Sequence, residues 1–359
     1  MRSILHCITT ICRGGAETQL LTLARQQVSA GNQVSVVYLK GLPELHQDFT
    51  NAGVKVIDTL ANFSPITQIY KLRRIISENT FDVVHNHLPR AELFFRLTCL
   101  GRPYVFSRHN AEPFFPKAPR FVSRALSLYA SSGNCRGIAI SIAVKAYSEN
   151  NGEISRRKPL EVIYYGFDPV QKKSDVSLVD RHYSFGTVAR LVPQKNLPTL
   201  LQAFKIVASR NDSANLIIIG DGVDSDLLHE LTNNLGLKDR VTWLVKSHDV
   251  PKQLSLIETF ILPSLYEGFG LVLLEAMSAK CAIIAANNSA IPEVLGTDFP
   301  GLFETKSVAD LVALMENAQM GTFRDRLVAI QDARLRIFSP EVMESKINLL
   351  YGQLTPGTH

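Results

Sequence analysis

Cysteine is scarce and scattered in this chain. Its five copies, Cys7, Cys12, Cys99, Cys135 and Cys281, are odd in number and lack the paired spacing of a metal site. That pattern excludes a disulfide scaffold and predicts free core thiols in a reducing compartment, here the cytoplasm. Long apolar runs are also missing. No stretch reaches eighteen apolar residues, and Met1-Arg2-Ser3-Ile4 flows straight into a strand, so neither a signal peptide nor a spanning helix is expected. Low-complexity segments and short-period repeats are absent, which sets aside disordered tails and solenoids. The Gly-x-Gly-x-x-Gly dinucleotide fingerprint is absent as well, and a nicotinamide oxidoreductase loses ground accordingly.

What remains is ordinary for a globular chain of two domains: 359 residues, 46% hydrophobic and 20% charged. The charge is distributed unevenly. Residues 1–158 hold 20 Lys and Arg against 10 Asp and Glu, whereas residues 159–359 hold 18 against 23. Halves of opposite sign suggest different partners. The basic half suits anionic lipid head groups or a phosphorylated substrate. Nucleic acid is not expected, because neither a recognition motif nor a platform of aromatics accompanies the cations. Lys117, Arg120, Arg124 and Arg136 flank Phe121, Val122, Leu126 and Leu128. This pattern reads either as a basic amphipathic helix lying on a bilayer, on the inner face of the cytoplasmic membrane, or as a solvated helix packed on its own core.

Two rounds of strand and helix follow one another. Apolar strands at 4–8, 33–38, 54–57, 83–85, 104–107 and 137–140 alternate with amphipathic helices such as 17–30 and 66–78. The alternation predicts a parallel sheet covered on both faces. Residues 166–181 are polar and read as a linker. A second series begins at 183–188 and continues through a helix at 197–209, strands at 215–219, 241–244 and 260–263, a helix at 271–279 and a strand at 281–285. The expected fold class is α/β: two doubly wound Rossmann-like domains, 1–165 and 182–338, facing each other across a cleft, with a C-terminal helix at 339–359 packing back on the first. Ligands would sit at the carboxyl ends of both sheets.

The most informative stretch runs from Glu267 through Gly268-Phe269-Gly270-Leu271 to Glu275. An apolar strand, a glycine-bearing turn and a helix start form a phosphate site, because unpaired N–H groups and the helix dipole point at the anion. Glu275 lies about five residues into the helix, roughly 7–8 Å from that end at ~1.5 Å per residue, the span from a pyrophosphate to a ribose. Glu267 would face a sugar at the opposite end. Arg190 and Lys195, just after a strand, can clamp a pyrophosphate and neutralise it as it departs. Gly14-Gly15, after the first strand, lets backbone approach a ligand closely. His109 ends a strand and is placed to hydrogen-bond a sugar hydroxyl, and His85-Asn86-His87 forms a second polar cluster on that sheet edge. Asp224-Ser225-Asp226, near Asp221, looks like a cation-binding triplet but reads as a helix cap, so no metal is expected.

These residues resemble glycosyltransferase family 4, retaining enzymes of GT-B architecture, over nearly the whole chain. The likeness is carried by Gly14-Gly15-Ala16-Glu17, Asp82-Val83-Val84-His85, His109-Asn110, Arg190 with Lys195-Asn196, Ile219-Gly220-Asp221-Gly222, Ser264 through Gly270 to Glu275-Ala276, and Ile291-Pro292-Glu293-Val294. The resemblance implies a nucleotide-diphosphate sugar, UDP- or GDP-linked, on the second domain, and a saccharide or lipid-linked acceptor on the first. It also implies retention of configuration without a metal or other cofactor. Under it Glu267 holds donor-sugar hydroxyls, the amides of Gly268, Phe269, Gly270 and Leu271 meet sugar and phosphate, and Glu275 takes the ribose. Arg190 and Lys195 hold the diphosphate, Gly14 and Gly15 close over it, and His109 bonds the sugar near the reacting carbon. Two positions depart from the family: Tyr165-Gly166 where Asn-Gly is common, and Ser289-Ala290 where a glycine pair precedes Ile-Pro-Glu-Val. The competing readings are a sugar-nucleotide epimerase or hydrolase of GT-B fold and a non-catalytic nucleotide-sugar-binding protein.

Overall fold

The structure is a computed structural model that describes residues 1–98, 101–168, 181–245 and 249–354. Cys99, the 169–180 part of the expected linker, and Lys246 and Ser247 lie outside the described residues. The chain divides into two compact units, Met1–Phe167 with Phe338–His359, and Asp168–Ile337. Gly166 and Phe167 therefore belong to the first unit and not to a linker. The Phe167 N–H donates to the Phe338 carbonyl at 2.8 Å. A Cβ on Gly166 would come within 2.5 Å of Pro340 Cα, so the backbones meet where only glycine fits.

Among the described residues the first unit contains a seven-stranded parallel sheet. Its strands are β1 (Ser3–Ile8), β2 (Gln33–Tyr38), β3 (Lys55–Ile57), β4 (Val83–His87), β5 (Tyr104–Arg108), β6 (Cys135–Ala139) and β7 (Glu161–Val162), in the order β3-β2-β1-β4-β5-β6-β7. Register places His6 of β1 beside His85 of β4. The second unit has β8 (Tyr183–Val188), β9 (Leu216–Ile219), β10 (Val241–Leu244), β11 (Ile257–Leu262), β12 (Ala282–Ala286) and β13 (Leu302–Phe303), in the order β10-β9-β8-β11-β12-β13. In both sheets the winding reverses beside the first strand, between β1 and β4 and between β8 and β11. Those reversals open crevices at the strand carboxyl ends, where doubly wound sheets hold ligands.

Burial explains the strand sequences. Leu216-Ile217-Ile218-Ile219 is wholly buried, as a central parallel strand covered on both faces demands. The helix Pro340–Leu354 returns to the first unit, where Met343, Ile347, Leu350 and Tyr351 pack against Ile4, Leu23, Val83, Val105, Ile138 and Ile163. Cys7, Cys135 and Cys281 are buried thiols, whereas Cys12 is only partly covered. The basic stretch near residue 120 folds as the helix Arg120–Ala130, with Lys117 ahead of it and Arg136 on β6. Its buried residues are Ser123, Ser127 and Ala130, while Phe121 is 76% exposed. No helix among the described residues is long and apolar enough to cross a membrane.

Candidate functional site

The second unit's crevice is built by two loops laced together. After β8 the chain passes through Arg190 into a 3-10 turn, Pro193–Lys195, and Asn196 takes a left-handed conformation with φ 50°. That bend lets the Asn196 amide donate to the Pro263 carbonyl at the end of β11, at 3.1 Å. The Leu265 N–H donates to Gln194 O and the Gln194 side chain to Tyr266 O, each at 2.8 Å. Lys195 Nζ then lies 2.5 Å from Glu267 Oε1, with both side chains nearly buried, at 12% and 10% exposure. Ser264 Oγ donates to the same carboxylate oxygen at 2.7 Å. A charge pair held in this way resists salt screening and keeps one geometry.

The turn ends at Gly270, whose φ of 89° is the left-handed value that glycine adopts without strain, and the helix Leu271–Ser278 follows. Glu275 is its fifth residue and lies partly exposed, away from the stripe of Leu273, Leu274, Ala276 and Met277 that faces the core. Phe269 is only 2% exposed, so its side chain is a core group. Arg190 is exposed two residues beyond β8. The Ile219-Gly220-Asp221-Gly222 turn is a packing device: a Cβ on Gly222 would stand 2.2 Å from the Leu191 carbonyl oxygen. Asp224 occupies the N-cap position of Ser225–Asn234, yet its side chain makes no capping bond, against expectation. Asp221 Oδ1 accepts from the Gly222 N–H at 2.7 Å.

Ser289 marks a departure with a visible consequence. It sits at φ 53°, the region that favours glycine. Its hydroxyl donates to the Glu267 carbonyl at 2.6 Å and accepts from the Glu267 N–H at 3.2 Å. The serine thus ties down the backbone of the residue expected to meet the donor sugar.

The first unit's crevice is different. Gly14 is extended and precedes the helix Gly15–Ser29. A Cβ there would meet Glu17 Oε2 at 2.4 Å, and Glu17 Oε1 accepts from the Thr10 hydroxyl at 2.5 Å. His109 follows β5 but is 8% exposed and faces inward. Its Nδ1 meets the Tyr165 hydroxyl at 2.5 Å and its Nε2 meets His87 Nδ1 at 3.2 Å. Both ring nitrogens are therefore occupied, and a sugar hydroxyl can reach the ring only by replacing Tyr165. The His85-Asn86-His87 cluster, expected just after its strand at the sheet edge, lies within β4, which runs through to His87, and all three residues are buried. Burial lowers the pKa of every one of these histidines, His6 to about 4 and His109 to about 3, because the charged ring loses its hydration.

Lys195 and Glu267 are thus in contact, with Arg190, Gly268 to Leu271 and Glu275 on the same sheet's carboxyl side. Gly14, Gly15 and His109 belong to the other unit. Sequence reasoning missed His6, Gln27 and Tyr351, and marked Tyr165 and Ser289 only as departures from the family pattern. The signal in both was a bulkier residue than the family carries at that position.

Two family profiles match the chain, one for Glycosyltransferase Family 4 over residues 13–171 and one for Glycosyl transferases group 1 over residues 171–327. An Escherichia coli UDP-Gal:alpha-D-GlcNAc-diphosphoundecaprenol alpha-1,3-galactosyltransferase is 26% identical over 81% of this chain and 76% of its own length. A GDP-mannose-dependent alpha-(1-6)-phosphatidylinositol monomannoside mannosyltransferase of Mycobacterium tuberculosis is 26% identical over 89% and 88%. The crystal structure of Anabaena Alr3699/HepE, solved with UDP and glucose, superposes with a TM-score of 0.83 at 20% identity, covering 98% of this chain and 100% of that one. The fold is GT-B, and the chain belongs to glycosyltransferase family 4.

Proposed function

We propose that the protein is a metal-independent, retaining hexosyltransferase. In this reading it moves a sugar from a UDP- or GDP-linked donor to a saccharide or lipid-linked acceptor, in cell-surface polysaccharide or lipopolysaccharide synthesis on the cytoplasmic face of a membrane. The observation that carries the reading is the Lys195–Glu267 pair at the β8/β11 reversal, beside the start of Leu271–Ser278. An ammonium and a helix N-terminus are the two groups that stabilise a departing diphosphate. Glu267 keeps the lysine in place and leaves its second oxygen for a sugar hydroxyl. Arg190 adds a second cation, Gly14 and Gly15 approach the phosphates, and Glu275 takes the ribose.

The chemistry follows from the residues available. The bond between the anomeric carbon and the phosphate oxygen breaks while the acceptor oxygen bonds the same carbon on the same face. The acceptor's proton passes to the departing phosphate oxygen, and no side-chain nucleophile takes part. The acceptor class is supported by the relatives, whose names carry lipid-linked acceptors, and by the basic first unit. The exposed Phe121 beside Arg120 and Arg124 supports peripheral contact with anionic lipid.

The test is a thermal-shift screen of nucleotide sugars, followed by product mass spectrometry with lipid-linked and free saccharide acceptors. The expected result is one stabilising donor, transfer with retained configuration, and activity that survives a chelator. Donor consumption without any acceptor would point to the hydrolase or epimerase reading. Binding without turnover would leave only a nucleotide-sugar-binding protein.

A further inference from the structure

Eight polar side chains in the core of the first unit form one unbroken chain of hydrogen bonds. Tyr165 meets His109 at 2.5 Å, His109 meets His87 at 3.2 Å, and His87 Nε2 meets His6 Nδ1 at 3.0 Å. His6 Nε2 then meets Gln27 Oε1 at 2.8 Å, and Gln27 Nε2 meets the Tyr351 hydroxyl at 3.3 Å. Tyr351 meets His85 Nδ1 at 2.8 Å, and His85 Nε2 meets Ser107 Oγ at 2.8 Å. Every member is buried.

Such a chain runs in one sense throughout, and the side of the Gln27 amide that faces His6 sets which. A neutral imidazole carries one hydrogen, so a ring between two partners donates on one side and accepts on the other. Burial keeps all four rings neutral. The Gln27 carbonyl faces His6, which makes His6 donate through Nε2 and accept through Nδ1. His87 must then donate to His6 through Nε2, and His109 must donate to His87 through Nε2. On the other side the Gln27 N–H₂ donates to Tyr351, whose hydroxyl donates to His85, whose Nε2 donates to Ser107.

We propose that Gln27, His6 and His87 are positioning residues for His109, holding it as the Nε2–H tautomer with a bare Nδ1 turned toward the Tyr165 hydroxyl. The proposal deepens the transferase reading and rests on it for its consequence. A ligand group that takes the place of Tyr165 must arrive as a hydrogen-bond donor, as a sugar hydroxyl does. A phosphate oxygen, which only accepts, is turned away by the bare nitrogen. The three histidines His6, His85 and His87 also bring nitrogen atoms within 4.8 Å of one another, a spacing open to a metal ion. Each of those nitrogens already has a hydrogen-bond partner, and the relay explains them without an ion.

The tautomers can be read directly by long-range proton–nitrogen correlation on the full chain carrying ¹⁵N-histidine, independently of any transferase activity. The expected spectrum shows His6, His85, His87 and His109 with protonated Nε2 and bare Nδ1 at neutral pH, unchanged by an equivalent of zinc. A reversed set with protonated Nδ1, a charged His109, or zinc-shifted signals would overturn the proposal. Gln27→Leu removes the acceptor that orients the row, and His109 is expected to become a mixture of both tautomers. A single unchanged tautomer in a folded Gln27→Leu protein would also overturn it. Should that variant not fold, the wild-type spectrum decides alone. Loss of sugar transfer with the tautomers intact would strike the transferase reading and leave the relay standing.

Discussion

The two units share one winding and one place for a ligand, yet they fill it with opposite chemistry. At the β8/β11 reversal the second unit holds a charge pair, Lys195 with Glu267, with Arg190 exposed and Glu275 partly exposed nearby. At the β1/β4 reversal the first unit holds four neutral histidines, three of them bonded in a row and His85 joined to that row through Tyr351 and Gln27. Full charges kept near the rim suit a site that must bind and release an anion. A neutral relay suits a wall that orients hydroxyls and does not attract phosphate. The sheet order decides where chemistry is placed, and the side chains facing that crevice decide its kind.

The largest effect expected from this contrast is on stability in mild acid. Below pH 6.5 the unfolded chain protonates His6, His85, His87 and His109, while the folded protein keeps them neutral. Unfolding therefore takes up protons. Stability should fall as pH drops from 6.5, by about 1.4 kcal/mol per pH unit for each histidine, down to about pH 4 for His6 and about 3 for His109. Glu92, pushed up to about 7 by burial and only partly offset by the Arg108 guanidinium, works with the opposite sign between pH 4.5 and 7. Burial raises Glu153 and Glu344 as well, so three carboxyls stand against four histidines. Melting curves from pH 7 to pH 5 should show a clear loss, and a flat melting temperature would break the contrast.

Next in size is the charge pair. Glu267→Gln keeps the shape but removes the partner of Lys195, and catalytic efficiency should fall by about 10²–10³-fold, as when one preorganised polar group is removed. A wild-type rate with a purified donor would show that the pair is structural. A smaller change is expected from Ser289→Gly, which removes two hydrogen bonds to Glu267 while relieving a left-handed serine. The donor KM should rise several-fold, in line with about 1 kcal/mol for a net hydrogen bond, with little loss of stability. The least effect on folding is expected from Phe121→Ser, within about 0.5 kcal/mol by chemical denaturation, because the ring is exposed. Sedimentation with anionic vesicles should nonetheless fall, and unchanged binding would remove Phe121 from any membrane surface.

The parts legible in the sequence were those with local causes. Alternating apolar strands and amphipathic helices gave the two doubly wound sheets, and the turn from Glu267 to Gly270 marked the second unit's candidate site because turn, glycine and helix start are consecutive. The relay was illegible for the opposite reason. His6, Gln27, His85, His109, Tyr165 and Tyr351 meet only once β1 has paired with β4 and the last helix has returned, and no spacing in the chain encodes that pairing. His109 itself was located but its orientation was not, since a strand-end position does not say which way a ring turns. The domain edge was misjudged by a few residues because Gly166 and Phe167 are held by residues 338–340, far along the chain.

The return of Pro340–Leu354 to the first unit has a consequence for how the chain is made. The 168–337 unit is one unbroken segment and can close as soon as it leaves the ribosome. The other unit lacks part of its apolar filling, and the phenol that bridges Gln27 to His85, until the final helix has been synthesised. The half made first is therefore finished last, and a message cut short before residue 340 would yield a sound 168–337 unit joined to a partner that cannot complete its interior.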